Sequence, residues 1–128
     1  MNQATIATLT LNPALDKSAQ VEHVVPEHKL RCHSPLQEPG GGGLNVARAI
    51  HKLGGTARAL YTCGGLTGQT LQQLLARESI EQVPLPIQQW TRESFAVLET
   101  SSRLQYRFGL PGPTLSADEW RQVFAVIE

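Results

Sequence analysis

The sequence predicts an α/β fold in which a doubly wound parallel sheet carries a small β lid. Strand-like and helix-like segments alternate along the chain, at residues 5–11 (strand), 44–53 (helix), 57–62 (strand) and 68–78 (helix). This order is typical of parallel α/β units. Residues 18–38 and 92–109 break the alternation with β-rich runs, and these two segments are expected to form the lid. The core then comprises residues 1–17, 39–88 and 110–128.

Bulk composition narrows the class of protein. The 128 residues include 11 basic and 11 acidic side chains, so the basic excess typical of nucleic-acid or membrane-surface binding is missing. The sequence shows neither a secretory leader nor an apolar run of about 20 residues. Cys32 and Cys63 lack a metal-like spacing, and free thiols fit a cytoplasmic protein. The chain ends inside a helical pattern, which suggests that it is truncated.

The first strand ends in a polar turn that brings a carboxylate to its end. Residues 5–11 read as a buried strand, and Asn12-Pro13 ends it. Asp16 is expected just beyond the strand's carboxyl end, where open α/β sheets bind ligands. A turn or capping role is the alternative for this aspartate.

The pattern of residues 18–38 predicts short, exposed strands, because this segment contains two prolines and shows no helical period. Lys29 and Arg31 share one side of an extended segment. Within 92–109, residues 94–100 and 103–108 predict a hairpin turning at Ser101-Ser102. Its second strand has an apolar face and a polar, cationic face, consisting of Leu104, Tyr106 and Phe108 on one side and Arg103, Gln105 and Arg107 on the other.

Three helices are expected from their apolar faces. The first presents Val46, Ala47, Ile50 and Leu53, the second presents Leu71, Leu74 and Leu75, and the third presents Trp120, Val123, Phe124 and Ile127. Thr67 is the predicted N-cap of the second helix. A capping box, Ser116 to Glu119, is predicted to open the third.

The glycine run Gly40–Gly43 suggests a ligand site, but the common sequence motifs do not identify the ligand. The dinucleotide fingerprint, the phosphate-binding loop, the hydrolase elbow and the zinc motif H-E-x-x-H are all missing from the sequence. Asp16 and Asn45 suit sugar hydroxyls. Four cations suit a phosphate, namely Lys29, Arg31, Arg92 and Arg107. Together these residues favour a phosphorylated sugar, with solvated surface cations as the alternative.

These residues also carry a family resemblance. Asn12-Pro13-Ala14-Leu15-Asp16, followed by the glycine run and Asn45-x-Ala47-x6-Gly54-x9-Gly64, resembles the N-terminal signature of the PfkB (ribokinase-like) carbohydrate kinases. The Asn-Pro-Ala-Leu-Asp form is similar to the branch that acts on phosphorylated ketohexoses. The resemblance implies a ribokinase-like fold and ATP-dependent phosphorylation of fructose 6-phosphate in glycolysis. Tagatose-6-phosphate kinase and 1-phosphofructokinase are the alternatives.

The resemblance further implies a role for individual residues. Asp16, Gly41, Gly42 and Asn45 would hold the sugar, and Lys29, Arg92 and Arg107 would hold its phosphate. The lid would close over the acceptor and form a homodimer contact.

The family's nucleotide site and catalytic base lie in a Gly-Ala-Gly-Asp motif that this sequence lacks. The only aspartates are Asp16 and Asp118. ATP and Mg²⁺ are therefore expected to bind mainly outside this chain, which contains no catalytic residue and is expected to be inactive alone. A non-catalytic sugar-phosphate-binding or dimerisation fragment is the competing hypothesis.

Overall fold

The computed structural model describes residues 5–128, which form seven strands and three helices. The strands are β1 (Ile6–Thr10), β2 (Ala14–Val21), β3 (His33–Gly40), β4 (Ala57–Cys63), β5 (Glu81–Pro86), β6 (Arg92–Glu99) and β7 (Leu104–Gly109). The helices are α1 (Gly42–Lys52), α2 (Gly65–Arg77) and α3 (Ala117–Ile127). None of these helices, which belong to residues 5–128, is long and apolar enough to cross a membrane.

A three-stranded parallel sheet, in the order β1-β4-β5, forms the base of the molecule. The central strand β4 is buried, and it pairs with β1 from Ile6 opposite Ala57 and with β5 from Arg58 opposite Glu81. Helices α1 and α2 cover the sheet, and their side chains complete a core that contains Leu44, Ala47, Ala59, Tyr61, Leu71 and Leu75. The predicted parallel α/β unit is confirmed.

The remaining strands form a four-stranded sheet in the order β3-β2-β6-β7. Its inner pair, β2 and β6, is parallel, and both outer pairs are antiparallel. The predicted hairpin is confirmed as β6–β7. The strands of the 18–38 region are longer than expected, since β2 already begins at Ala14 and β3 continues to Gly40. Strand β3 tolerates Pro35 and Pro39 because it lies at the sheet edge, where a missing N–H costs least.

Helix α1 begins two residues earlier than predicted, and its buried face is different. Leu44 and Ala47 are fully buried, whereas Val46 is half-exposed and Leu53 is 88% exposed. The prediction of Val46 and Leu53 as core residues was therefore wrong. Leu44 and Ala47 are three residues apart and so share the side of the helix that packs on β1 and β4.

Helix α2 begins at Gly65 with Gly64 as its N-cap, so the prediction of Thr67 as N-cap was wrong. Thr67 lies inside the first turn and is buried. A residue distant in sequence holds this N-cap residue in place, because the Gly64 N–H donates to the Thr91 hydroxyl at 3.0 Å. Leu71 and Leu75 are buried as predicted.

Helix α3 opens with the predicted capping box, in which Ser116 and Glu119 bond each other's backbone N–H. Its predicted core face is mostly wrong, since only Val123 is buried. Trp120, Phe124 and Ile127 are 39%, 54% and 52% exposed. The apolar period identified a helix correctly, but β5 is the main packing partner of α3 among the elements of residues 5–128.

Candidate functional site

A groove of about 570 Å³ lies between the four-stranded sheet and the amino end of α1. Its walls come from four strands and one helix that are far apart in sequence. Six of the seven residues predicted to bind substrate line it, namely Asp16, Gly41, Gly42, Asn45, Arg92 and Arg107. The fold thus brings together residues that span 92 positions of the sequence.

Asp16 is a strand residue at the floor of this groove. It is the third residue of β2, opposite Glu38 on β3 and Ser94 on β6. The Ser94 hydroxyl donates to its Oδ1 at 2.6 Å. Asp16 follows the end of β1 as expected, but it belongs to the next strand, so the alternative of a turn or capping residue was wrong. The chain turns at residues 11–13 and immediately starts a new strand.

The four glycines of the run have different structural roles. A Cβ on Gly40 would collide with the Asp16 carboxylate, and one on Gly43 would lie 2.9 Å from the Leu9 carbonyl oxygen. Gly41 has φ of 122°, which side-chain-bearing residues rarely adopt, and it is the N-cap of α1. A Cβ on Gly42 would meet no atom of the described chain within 4 Å. Gly41 and Gly43 are therefore required by the backbone, Gly40 leaves room for the Asp16 carboxylate, and Gly42 meets no such constraint.

Helix α1 begins at the groove with unpaired N–H groups. The helix has no side-chain cap and no acidic residue in its first turn. The Asn45 N–H donates to the Gly41 carbonyl at 2.9 Å and starts the helical ladder. The N–H groups before it have no intrahelical acceptor and favour oxygen-rich or anionic groups.

Two arginines form the cationic part of the groove. Arg92 and Arg107 make no ion pair within residues 5–128. Arg92 only approaches the Asn12 carbonyl oxygen, at 3.4 Å from both Nε and Nη2. Lys17 also lines the groove, but Glu93 neutralises it at 3.0 Å. The two arginines are therefore the cations available to an anionic ligand.

The structure does not bring Lys29 to the groove. Lys29 and Arg31 are exposed in the segment between β2 and β3. Glu99 fixes the start of this segment, because its carboxylate accepts hydrogen bonds from the Ser102 hydroxyl and from the Val24 N–H. These bonds, the one from Ser102 first, lower the pKa of Glu99.

Sequence reasoning missed Ser94 and Glu38, which flank Asp16 in the groove. Strand alternation carried a signal for Ser94, because residues 92 and 94 of one strand share a face. A serine on a strand is otherwise unremarkable. Glu38 is two residues before Gly40, and it could have been placed only once its pairing with Asp16 was known.

Residues 5–128 contain no cluster of three or more His, Cys, Asp or Glu side chains that could hold a metal ion. Both cysteines are free, as predicted. Cys63 is buried at the end of β4, and burial raises the pKa of its thiol to about 11. This thiol is therefore protonated at neutral pH and belongs to the core.

Comparison with known proteins gives the site a family context. The model of the family described as "pfkB family carbohydrate kinase" matches residues 9–126. The chain is 48% identical over 118 residues to an "ATP-dependent 6-phosphofructokinase isozyme 2" of Escherichia coli K12, covering 92% of this chain and 38% of that protein. It is 50% identical over 117 residues to a protein of the same name from Mycobacterium tuberculosis, covering 91% and 34%.

The fold agrees with a solved relative. A crystal structure of phosphofructokinase-2 from Escherichia coli in complex with fructose-6-phosphate superposes with a TM-score of 0.91 at 46% identity, covering 99% of this chain and 41% of that one. The present chain thus spans roughly a third to two fifths of the length of the relatives it matches.

Proposed function

Because the chain belongs to the pfkB family of carbohydrate kinases, we propose that it forms the acceptor-binding part of an ATP-dependent kinase that converts fructose 6-phosphate to fructose 1,6-bisphosphate. One observation carries this proposal, namely a single groove that combines Asp16 and Asn45 with two arginines that make no ion pair within residues 5–128. The 6-phosphofructokinase names of the relatives support the choice of substrate.

The sugar is proposed to lie against Asp16 and the amino end of α1. The Asp16 carboxylate accepts hydrogen bonds from sugar hydroxyls, and the Asn45 amide offers both a donor and an acceptor. Gly42 has no side chain to fill the space above the helix terminus, so the sugar ring can approach the backbone there. Ser94 already donates to Asp16 and fixes the direction of its carboxylate.

The phosphate of the substrate is proposed to bind Arg92 and Arg107. Arg92 is two residues from Ser94 along β6, and Ser94 is opposite Asp16 on the neighbouring strand. Strand geometry places the Cα atoms of Arg92 and Asp16 about 8 Å apart, which leaves room for one sugar phosphate between the side chains. Guanidinium groups bind phosphate oxygens in pairs. A phosphate role for Lys29 stays a prediction.

ATP and Mg²⁺ are assigned to no residue of this chain. Residues 5–128 offer no metal-binding cluster, and the sequence lacks the family's Gly-Ala-Gly-Asp motif. The contribution of this chain is to bind and orient the acceptor, and closure of the lid would exclude water from it. The chain alone is therefore expected to bind sugar phosphate without transferring a phosphoryl group. A cytoplasmic location also stays a prediction.

A homodimer through the four-stranded sheet is part of the proposal. Phe95, Tyr106 and Phe108 share one face of the β6–β7 hairpin, and they are 37%, 36% and 58% exposed. Phe95 and Phe108 also line the groove, whereas Tyr106 does not. An apolar sheet face of this kind favours association with a second copy. Sedimentation velocity of the chain and of Tyr106→Asp measures this contact, which the substitution is expected to break.

Calorimetric titration of the chain with three ligands tests the proposed substrate. The ligands are fructose 6-phosphate, tagatose 6-phosphate and fructose 1-phosphate. We expect fructose 6-phosphate to bind most tightly, because the relatives that are 48% and 50% identical to the chain are named 6-phosphofructokinases. Tighter binding of either other ligand would show that the proposed substrate is wrong. If the full-length protein binds a sugar phosphate but does not phosphorylate it, the hypothesis of a non-catalytic sugar-phosphate-binding protein is favoured.

Two variants with matched controls test the site. Asp16→Asn and Arg92→Ala are each expected to weaken fructose 6-phosphate binding at least tenfold, since each removes a charged partner of the ligand. Asp118→Asn and Arg58→Ala make the same chemical changes at exposed positions outside the groove. If the groove variants bind as tightly as these controls, the site assignment is wrong.

A further inference from the structure

A single guanidinium joins three elements behind the groove. Arg48 extends from the middle of α1 and is only 15% exposed. Its Nε donates to both carboxylate oxygens of Glu78, at 3.0 and 2.8 Å, where α2 ends. Its Nη1 donates to the Pro39 carbonyl at 3.2 Å, and its Nη2 lies 3.8 Å from the Glu38 carboxylate. The side chain therefore ties the end of β3 to both helices.

The point that Arg48 holds is the corner from which the glycine run starts. Pro39 is buried and is followed by Gly40, which lies against Asp16, and by the N-cap Gly41. Because proline has no N–H, its carbonyl is the only polar backbone atom through which a side chain can fix this residue. A shift of the Pro39 carbonyl moves the amino end of α1 relative to Asp16.

We propose that Arg48 is a positioning residue that holds the corner at 39–41 in register with Asp16, so that the hydroxyl-binding part of the groove is preformed. This inference rests on the proposed function for its ligand. The rigid fork of arginine allows bonds to the Glu78 carboxylate and the Pro39 carbonyl at the same time. The single ammonium of lysine cannot reach both with this geometry.

The first test needs no ligand. Amide hydrogen exchange of the chain and of Arg48→Lys is compared at Asn45, whose N–H donates to Gly41, and at Tyr61 in the buried strand β4. We expect exchange at least tenfold faster at Asn45 in the variant, with less than a twofold change at Tyr61. Equal acceleration at both amides, or none at Asn45, would show that Arg48 is only a stabilising cross-link.

The second test compares the binding of the sugar phosphate with the binding of inorganic phosphate alone. Arg48→Lys is expected to weaken fructose 6-phosphate binding about tenfold and to leave binding of inorganic phosphate unchanged within twofold, because Arg92 and Arg107 lie on other strands. An equal loss for both ligands contradicts positioning. If the unmodified chain binds neither ligand, the proposed function fails, and the exchange result still decides whether Arg48 holds the corner.

Glu78→Gln serves as the matched variant and keeps the proposal testable if Arg48→Lys does not fold. It weakens the link to α2 but leaves Arg48 in contact with Pro39. We expect a less stable protein in which the exchange ratio between Asn45 and Tyr61, and the affinity ratio between sugar phosphate and phosphate, stay at their wild-type values. A fall in the affinity ratio comparable to that expected of Arg48→Lys would overturn the proposal.

Discussion

Helices α1 and α2 have similar sequences at their amino ends, but different parts of the structure lie in front of these ends. Each has a glycine N-cap, no side-chain cap on its own element and no acidic residue in its first turn. The end of α1 opens into the groove, and Gly42 has free space in front of it. The end of α2 is covered by residues 87–91 of the chain itself.

The cover over α2 is held by backbone and side chain together. The Ile87 N–H donates to the Cys63 carbonyl, and Gly64 exchanges hydrogen bonds with Thr91, all at 3.0 Å. Trp90 lies across Gly65 so closely that a Cβ there would overlap the indole ring. Glycines at this helix end allow close packing of the chain, whereas Gly42 at the other leaves room for a ligand. A glycine-rich helix start therefore does not by itself identify a binding site.

Gly64→Ala should have the largest effect, because it breaks the closed end. The added methyl group would overlap the Gln89 carbonyl and lie 2.8 Å from the Ile87 carbonyl oxygen. Backbone atoms on both sides cannot move independently, so we expect a loss of about 3 kcal/mol in the free energy of unfolding. Urea unfolding followed by circular dichroism measures it. A loss below about 1 kcal/mol would mean that the 87–91 segment is loosely held.

The same contrast explains what sequence patterns could predict. Local periodicity predicted the parallel unit, the β6–β7 hairpin and the Ser116 capping box, because each depends on residues close in sequence. The start of α2 could not be predicted, since its N-cap residue Gly64 is held by Thr91, which lies 27 residues further along the chain. The burial of Val46 was mispredicted because the period shows that a helix is amphipathic without showing which residues meet the sheet.

The candidate site also contains residues that the sequence could predict and residues whose role depends on strand pairing. Asp16, Asn45 and the two arginines were found from residue chemistry and family resemblance, and the fold places them in one groove. Ser94 was missed because its importance comes from pairing with a strand 78 residues away. Lys29 has suitable chemistry but lies outside the groove. Residue type thus indicates candidates, and only strand pairing shows which of them meet.

Gly42→Ala should have the intermediate effect, at the open end. No described atom lies near the added methyl, and alanine is favoured over glycine within a helix by roughly 0.5–1 kcal/mol. We expect unchanged or slightly higher stability together with about tenfold weaker binding of fructose 6-phosphate, because the methyl occupies ligand space. Urea unfolding and calorimetric titration measure the two quantities. Unchanged affinity would show that the ligand does not approach this glycine.

The smallest effect is expected from Glu119, which ties α3 to the cover over α2. Its carboxylate accepts hydrogen bonds from the Ser116 and Gln88 N–H groups at 2.8 and 2.7 Å, and these bonds, that of Ser116 first, lower the pKa of Glu119. A lowered native pKa means that the carboxylate stabilises the fold above its ordinary pKa of 4.5 and loses that contribution as the pH falls through the native value.

Glu119→Gln is therefore expected to flatten the decline of stability between about pH 5 and pH 3, because glutamine has no proton to take up. Thermal unfolding across this range measures the slope, and Asp118→Asn is the control that removes a carboxylate from the same turn without touching Gln88. Because the closed end of α2 depends on residues 87–91, the variant should also speed amide exchange at Gln88 more than at Asn45. If the variant changes the exchange rate at the two amides by the same factor, Glu119 caps α3 without holding residues 87–91 in place.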